Sequence, residues 1–197
     1  MAARILRRSV TEAGNVRLSV SEEHFEGEVR RTFTISREDD ARLGSPAAGE
    51  EIDGELISSL AEAEGKLRAR AKAVSLLSYG DNSANALCRK LRARGYDRES
   101  AEAAVATMIG KGYIREEEQA SRLAVACATR KLWGRRKILS YLHGRGYDLT
   151  LARRVIDQAI ADGEIDFEEI KQELIARKLG EDATGEEKRR LLYRYGH

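Results

Sequence analysis

The stretch that decides the fold is Leu87-Cys88-Arg89-Lys90-Leu91-Arg92-Ala93-Arg94-Gly95-Tyr96-Asp97, because it returns 51 residues later as Ile138-Leu139-Ser140-Tyr141-Leu142-His143-Gly144-Arg145-Gly146-Tyr147-Asp148. The register holds outward in both directions: Val74 falls on Val125, Ala101 on Ala152, Val105 on Ile156, Ile109 on Ile160, Gly112 on Gly163 and Ile114 on Ile165. Some fifty residues further on, Leu192 and Gly196 repeat Leu142 and Gly146. A fixed period of this length is the signature of a repeat architecture, in which each unit stacks on its neighbour to bury its apolar face.

Within each unit the punctuation is helical. Gly95, Gly146 and Gly196 stand where a helix should end in a left-handed residue, a conformation that only glycine adopts without a Cβ clash. Asp97 and Asp148 then offer oxygens to the orphan amides of the next helix, as do Ser83, Asp166 with Glu169, and Thr184 with Glu187, the last two read as capping boxes. Upstream, Leu56, Leu60, Ala63, Leu67, Ala71, Val74 and Leu77 advance by three or four, one stripe along a long helix that should stop near Gly80, with Gly65 a place for a kink. The spacing predicts helices at 55–79, 83–94, 98–111, 116–132, 134–144, 149–162, 166–179 and 185–195. One proline, Pro46, in 197 residues fits long uninterrupted helices.

The amino-terminal part speaks differently. Val16, Leu18 and Val20, then Val29, Thr32, Phe33, Thr34 and Ile35, alternate with period two, which predicts two or three short antiparallel strands closed by the loop around Gly44, Ser45, Pro46 and Gly49. The expected fold is therefore mainly α: tandem three-helix, helix-turn-helix-like repeats in an elongated curved rod, with a small amino-terminal β-hairpin or meander. Its expected divisions are strands and loop over 1–50, repeats over 51–115 and 116–165, and a third repeat over 166–197 that lacks its last helix.

Charge is segregated beneath a formal net of +2. Between Arg122 and Arg154 stand Arg122, Arg130, Lys131, Arg135, Arg136, Lys137, Arg145, Arg153 and Arg154 against Asp148 alone, whereas 162–187 is strongly acidic and 1–60 carries more acid than base. A block of this kind fits a polyanionic partner, or equally a set of solvated helix faces. Arg135, Arg136 and Lys137 open a helix, where the dipole disfavours cations, so something other than helix stability is needed to explain them. Arg89, Lys90, Arg92 and Arg94 form a second, shorter strip. Trp133, at a helix junction beside these cations, suits stacking on a base or a partner pocket, or a plug between helices. Tyr96, Tyr113 and Tyr147 each follow a glycine at a helix boundary and are expected to be buried rings closing the repeat.

Several classes of chemistry find no support. There is no phosphate loop, dinucleotide fingerprint, H-E-x-x-H or nucleophile elbow, so neither a catalytic site nor a cofactor is expected. Cys88 and Cys127 have no Cys or His at metal-ligand spacing and read as small core hydrophobes. No stretch approaches the roughly 18 apolar residues of a membrane span, and the arginines near Met1 are followed by no apolar signal region; a cytoplasmic monomer is the expectation.

The succession Ala73 to Leu77 with Ser78, then Ser83, Leu87, Leu91, Gly95, Gly112, Tyr113, Ile114, Ala120, Arg130, Gly134 and Ile138 resembles the RecX family of recombination regulators, across about residues 52–197. The chain departs from the family pattern at Arg115 and Glu116, where an acidic pair is usual, and at Gln119, where an aromatic is common. The resemblance implies a non-enzymatic protein that binds the RecA filament on single-stranded DNA and lowers its ATPase, strand-exchange and coprotease activities, acting in DNA repair and the SOS response. Residues expected to meet filament or DNA are Arg89, Lys90, Arg92, Arg94, Arg130, Lys131, Trp133, Arg135, Arg136, Lys137, Arg145, Arg153 and Arg154. The alternative from the residues alone is a stand-alone helix-turn-helix-like nucleic-acid-binding module.

Overall fold

A computed structural model describes residues 3–24, 27–180 and 182–197. Four strands and nine helices follow one another among them: β1 (Ala3–Val10), β2 (Val16–His24), β3 (Gly27–Ile35), α1 (Arg37–Arg42), β4 (Glu51–Ile52), α2 (Gly54–Leu77), α3 (Ala84–Arg92), α4 (Arg98–Gly110), α5 (Glu116–Lys131), α6 (Arg135–Gly144), α7 (Leu149–Ala161), α8 (Phe167–Lys178) and α9 (Gly185–Tyr195). The eight helices expected from periodicity are all present, with ends shifted by no more than two residues. Contacts divide the chain into two compact units, Met1–Ser78 with Cys88–Gly110, and Tyr79–Leu87 with Lys111–His197.

In the first unit the sheet order is β3-β2-β1-β4, all antiparallel. Its inner face carries Ala3, Ile5, Val16, Leu18, Val20, Phe33, Ile35 and Ile52, which pack on Leu60 and Ala63 of α2. This packing answers the marginal stability of a free hairpin, since three or more strands against a helix suffice where two alone do not. The edge amide of Thr34 donates to Glu64 Oε1 of α2 at 3.1 Å, so one edge group of β3 is already taken. The α2 helix runs unbroken through Gly65, where a Cβ would lie 3.1 Å from Ser100 Oγ of α4; glycine serves close helix approach rather than a kink. Ala69 and Ala73 of α2, and Ala101 and Ala104 of α4, are likewise small and buried.

Three elements of this unit were not expected: β1, α1 and the two-residue strand β4, which pairs with the start of β1. Strand β1 escapes the period-two pattern because the ladder slips between Ile5 and Arg7, so its inward residues are spaced unevenly. Helix α1 has no apolar stripe and is held by polar bonds: Ser36 Oγ accepts from the Asp39 amide at 3.1 Å, and Asp40 forms a fork with Arg8 at 2.6 and 2.5 Å. The arginine and the serine hydroxyl of Ser45 hold the Asp40 carboxyl below the usual aspartate range.

The second unit is built on α5 and α7. Ala120, Ala124, Cys127 and Ala128 face Ala152, Val155, Ile156 and Ala159, and α6 adds Ile138 and Leu142. Small residues on both faces let the axes approach closely, and the larger aliphatics fill the remaining space. Ser83 Oγ donates to the Arg145 carbonyl at 2.9 Å and Asn85 Nδ2 to that of Gly146 at 3.1 Å, tying the start of α3 to the end of α6. The glycine stops are as expected, with φ of +87° at Gly95, +92° at Gly146 and +85° at Gly196.

Some readings need correction. Only Tyr147 of the three glycine-following tyrosines is fully buried; Tyr113 is 57% exposed and Tyr96 half-buried. Cys127 is a core residue, but Cys88 is only partly covered. Thr184 and Glu187 form a reciprocal capping box, whereas Asp166 caps α8 alone, accepting from the amides of Glu168 and Glu169.

Candidate interface of cations and aromatic rings

The junction between α5 and α6 determines how the basic block is displayed. Helix α5 ends at Leu132, which adopts a left-handed φ of +54°, a costly conformation for leucine that its burial offsets. The chain then passes through Trp133 and Gly134 and turns at once into α6. Gly134 is required here by close approach: a Cβ would sit 2.4 Å from the Gly196 carbonyl carbon and oxygen. Reciprocally, a Cβ on Gly196 would be 2.5 Å from Lys137 Cβ. Through this contact the last turn of α9 docks on the start of α6. The Gly134 amide donates to the Tyr195 carbonyl at 2.8 Å, and the Arg136 amide to that of Gly196 at 3.2 Å. His197 Nε2 donates to the Leu132 carbonyl at 3.2 Å, and burial holds that imidazole below its ordinary range.

The docked turn brings Tyr193 and Tyr195 of α9 to the cations that follow the tryptophan, where Tyr141 of α6 already stands. Trp133 and Tyr141 meet edge to face with centroids 5.4 Å apart. Lys131 Nζ lies 4.5 Å from the Trp133 centroid and 5.2 Å from that of Tyr141. Lys137 Nζ lies 4.9 Å from Trp133 and 4.8 Å from Tyr195, and donates to the Arg194 carbonyl at 3.3 Å. The Arg136 guanidinium sits 4.7 Å over Tyr193, and that of Arg145 5.9 Å over Tyr141. Each pair is worth about 0.5–1 kcal/mol at an exposed site, enough to hold a flexible cation in place without neutralising it. Trp133 itself is half-buried against the core, so it is a junction plug whose ring also supports two ammonium groups.

The thirteen residues singled out from sequence fall into distinct groups. Arg135 and Arg154 are spent on exposed ion pairs, with Asp157 at 2.5 Å and Glu117 at 3.0 Å, as is Arg122 of the same block with Asp81 at 2.6 Å. Lys131, Arg136, Lys137 and Arg145 rest on rings and keep their charge toward solvent. Arg130 and Arg153 are exposed and have no partner among the described residues. The unfavourable placement of cations at the start of α6 thus has a tertiary cause, since Asp157, Tyr193 and the Trp133–Tyr195 pair hold them there.

In the first unit, Arg89, Lys90, Arg92 and Arg94 are all exposed along α3 and just beyond it, with Arg94 Nη1 donating to the Lys90 carbonyl at 2.9 Å. Sequence reading missed Tyr141, Tyr193 and Tyr195. The only signal was aromatic residues at the same helix ends as the cations, and the arrival of Tyr193 and Tyr195 depends on α9 docking. Among the described residues no cluster of three His, Cys, Asp or Glu is placed to hold a metal, and no helix is long and apolar enough to cross a membrane.

Residues 69–108 match the family model for RecX, first three-helix domain. That stretch is similar to the first three-helix domain of RecX proteins. The sequence match covers the end of α2, α3 and α4. The fold extends further: a structure described as regulatory protein RecX superposes with a TM-score of 0.73 at 16% identity, over 99% of this chain and 94% of that one. A RecX from Lactobacillus salivarius gives 0.57 at 17% identity, over 68% of this chain and 90% of its own. Among curated proteins no sequence matches. The mainly helical fold of three-helix repeats behind a small antiparallel sheet is therefore that of RecX structures.

Proposed function

We propose that this RecX-type chain is a non-catalytic regulator of the RecA filament on single-stranded DNA, lowering its ATPase, strand-exchange and coprotease activities in the cytoplasm during recombination, repair and the SOS response. The observation that carries the reading is the RecX first three-helix domain match over residues 69–108. The ring-supported cations of the second unit supply a mechanism compatible with it. A chain without a phosphate loop changes an ATP-driven filament only through binding energy, and it shifts the filament by as much as it prefers one filament state over another. Lys131, Arg136, Lys137 and Arg145 are held in position before binding, so less side-chain entropy is lost on meeting a phosphate or an acidic protein surface. Arg130 and Arg153 add charge with no partner to give up among the described residues. We assign the strip Arg89, Lys90, Arg92 and Arg94 to the same partner.

The test is a charge reversal at the two uncompensated positions. Arg130→Glu with Arg153→Glu should leave helicity and melting unchanged and raise the concentration for half-inhibition of single-stranded-DNA-dependent RecA ATPase at least tenfold. An unchanged midpoint would remove this face from the site. Loss of binding to bare DNA, with no RecA effect in the unmodified chain, would support the stand-alone nucleic-acid module instead.

A further inference from the structure

The amino-terminal sheet has a solvated outer face that the regulatory reading does not use. Directly opposed residues of an antiparallel pair share a face, so the register places Arg4 with Ser21 and Arg30, Arg7 with Ser19 and Thr32, and Ser9 with Arg17 and Thr34, all away from the core. Among the described residues this face is polar, apart from the half-exposed Leu6 at the slip in β1.

The arginines of the amino-terminal segment divide sharply. Arg4 pairs with Glu51, Arg8 with Asp40, Arg30 with Glu28, Arg31 with Glu22 and Arg42 with Asp39, and Arg37 donates to the Gly14 carbonyl. Arg7 and Arg17 alone have no hydrogen bond or ion pair among the described residues. Both are exposed, and both lie on the outer face of neighbouring strands, at diagonal positions whose Cα atoms are about 7–8 Å apart. The residues opposite them are Ser19 and Ser9, not carboxylates, and Thr32 and Thr34 continue the same two rows across β3. The acids of this face, Glu51, Glu23 and Glu28, lie at the other end of the strands or on the β4 edge. A net negative segment thus displays a local patch of two free guanidinium forks set among four hydroxyls.

We infer that this face binds the phosphodiester backbone of a single-stranded nucleic acid. Guanidinium groups carried on two neighbouring strands can meet different phosphates of one backbone. Guanidinium forks take phosphate oxygens bidentately, and serine and threonine hydroxyls donate to the oxygens that remain. Among the described residues this face carries no exposed aromatic ring, so the backbone is held there without stacking of bases and binding is independent of sequence. The site belongs to the first unit and the cation–aromatic cluster to the second, and its binding does not depend on any recombinase.

The full chain is tested by fluorescence anisotropy with a labelled oligodeoxythymidylate across a salt series. Two lost single-strand phosphate contacts correspond to a decrease of about 1.4 in the magnitude of the slope of log affinity against log salt, and to roughly 25-fold weaker binding at 0.1 M salt. Arg7→Gln with Arg17→Gln should show both losses, and Arg7→Lys with Arg17→Lys should recover most of the affinity. Neither side chain makes a hydrogen bond or ion pair among the described residues, so melting of both variants should match the unmodified chain. Unchanged affinity and slope in the glutamine variant overturns the inference, as does absence of oligonucleotide binding by the unmodified chain. Unchanged oligonucleotide affinity with weakened binding to a RecA filament would also overturn it, and would reassign the face to an acidic protein surface.

Discussion

Replacing Gly134 by alanine should detach α9 from the α5–α6 junction and disassemble the platform beneath the cations. The backbone at Gly134, φ −78° and ψ 169°, is open to alanine, so the substitution acts through sterics alone. Its methyl would stand 2.4 Å from the Gly196 carbonyl group and 2.5 Å from the His197 amide nitrogen. These are backbone atoms that must retreat by about 1 Å to reach ordinary contact. Such a shift breaks the Gly134–Tyr195 and Arg136–Gly196 backbone bonds, at 2.8 and 3.2 Å, and the His197 contact to Leu132 at 3.2 Å. At about 1 kcal/mol each, with about 0.5–1 kcal/mol for each of the Lys137–Tyr195 and Arg136–Tyr193 pairs, the loss is roughly 4–5 kcal/mol. Hydrogen exchange reads it directly, because every 1.4 kcal/mol is tenfold in an opening equilibrium. Protection of the α9 amides should fall by about a thousandfold, or to nothing if the docked state is less stable than that, while the sheet of the first unit keeps its protection. Full protection of α9 in the alanine variant would refute the claim that this glycine contact holds the platform together.

Other expectations concern single groups. Asp40→Asn leaves the Arg8 guanidinium, 29% exposed, beside a neutral amide, and should destabilise the first unit by about 2–4 kcal/mol in urea or thermal unfolding at neutral pH. The Asp40 carboxyl is held below its ordinary range when folded, so its contribution is complete above the unfolded aspartate value and is lost as pH falls through the folded one. The asparagine variant should therefore show a shallower acid-unfolding profile. Cys88 should react with a thiol reagent in the native state, whereas Cys127, buried and with its thiol pushed upward by desolvation, should react only on unfolding; equal rates would contradict the packing of α5 on α7.

The repeat was readable because its signals are local and redundant. The Gly95, Gly146 and Gly196 stops, the Asp97 and Asp148 caps and the three-four spacing of Leu87, Leu91, Ile138 and Leu142 all act within a few residues, and each specifies the same helix ends. What could not be read depended on partners distant in sequence. Strand β1 hides its period behind a bulge and puts Arg8 on the inner face, an assignment that makes sense only once Asp40 of α1 is beside it. In the basic block, the cations were legible but not their sorting. Nothing local to Arg135, Arg154 or Arg122 says that Asp157, Glu117 and Asp81 will meet them, nor that Tyr193 and Tyr195 will arrive under Arg136 and Lys137 from α9. In the same way, the net acidity of residues 1–60 conceals the pair Arg7 and Arg17, which strand register separates from the carboxylates that neutralise the rest.

The most direct measurement of the regulatory role is the single-stranded-DNA-dependent ATPase of the cognate RecA, titrated with the full chain at fixed recombinase. Inhibition should be reached well below one chain per RecA protomer, because a regulator that stops filament extension acts on ends and short stretches rather than on every protomer. An ATPase rate that stays constant beyond equimolar chain, under conditions where the chain is folded and the filament assembled, would contradict the role proposed here and leave the RecX likeness as a statement about fold.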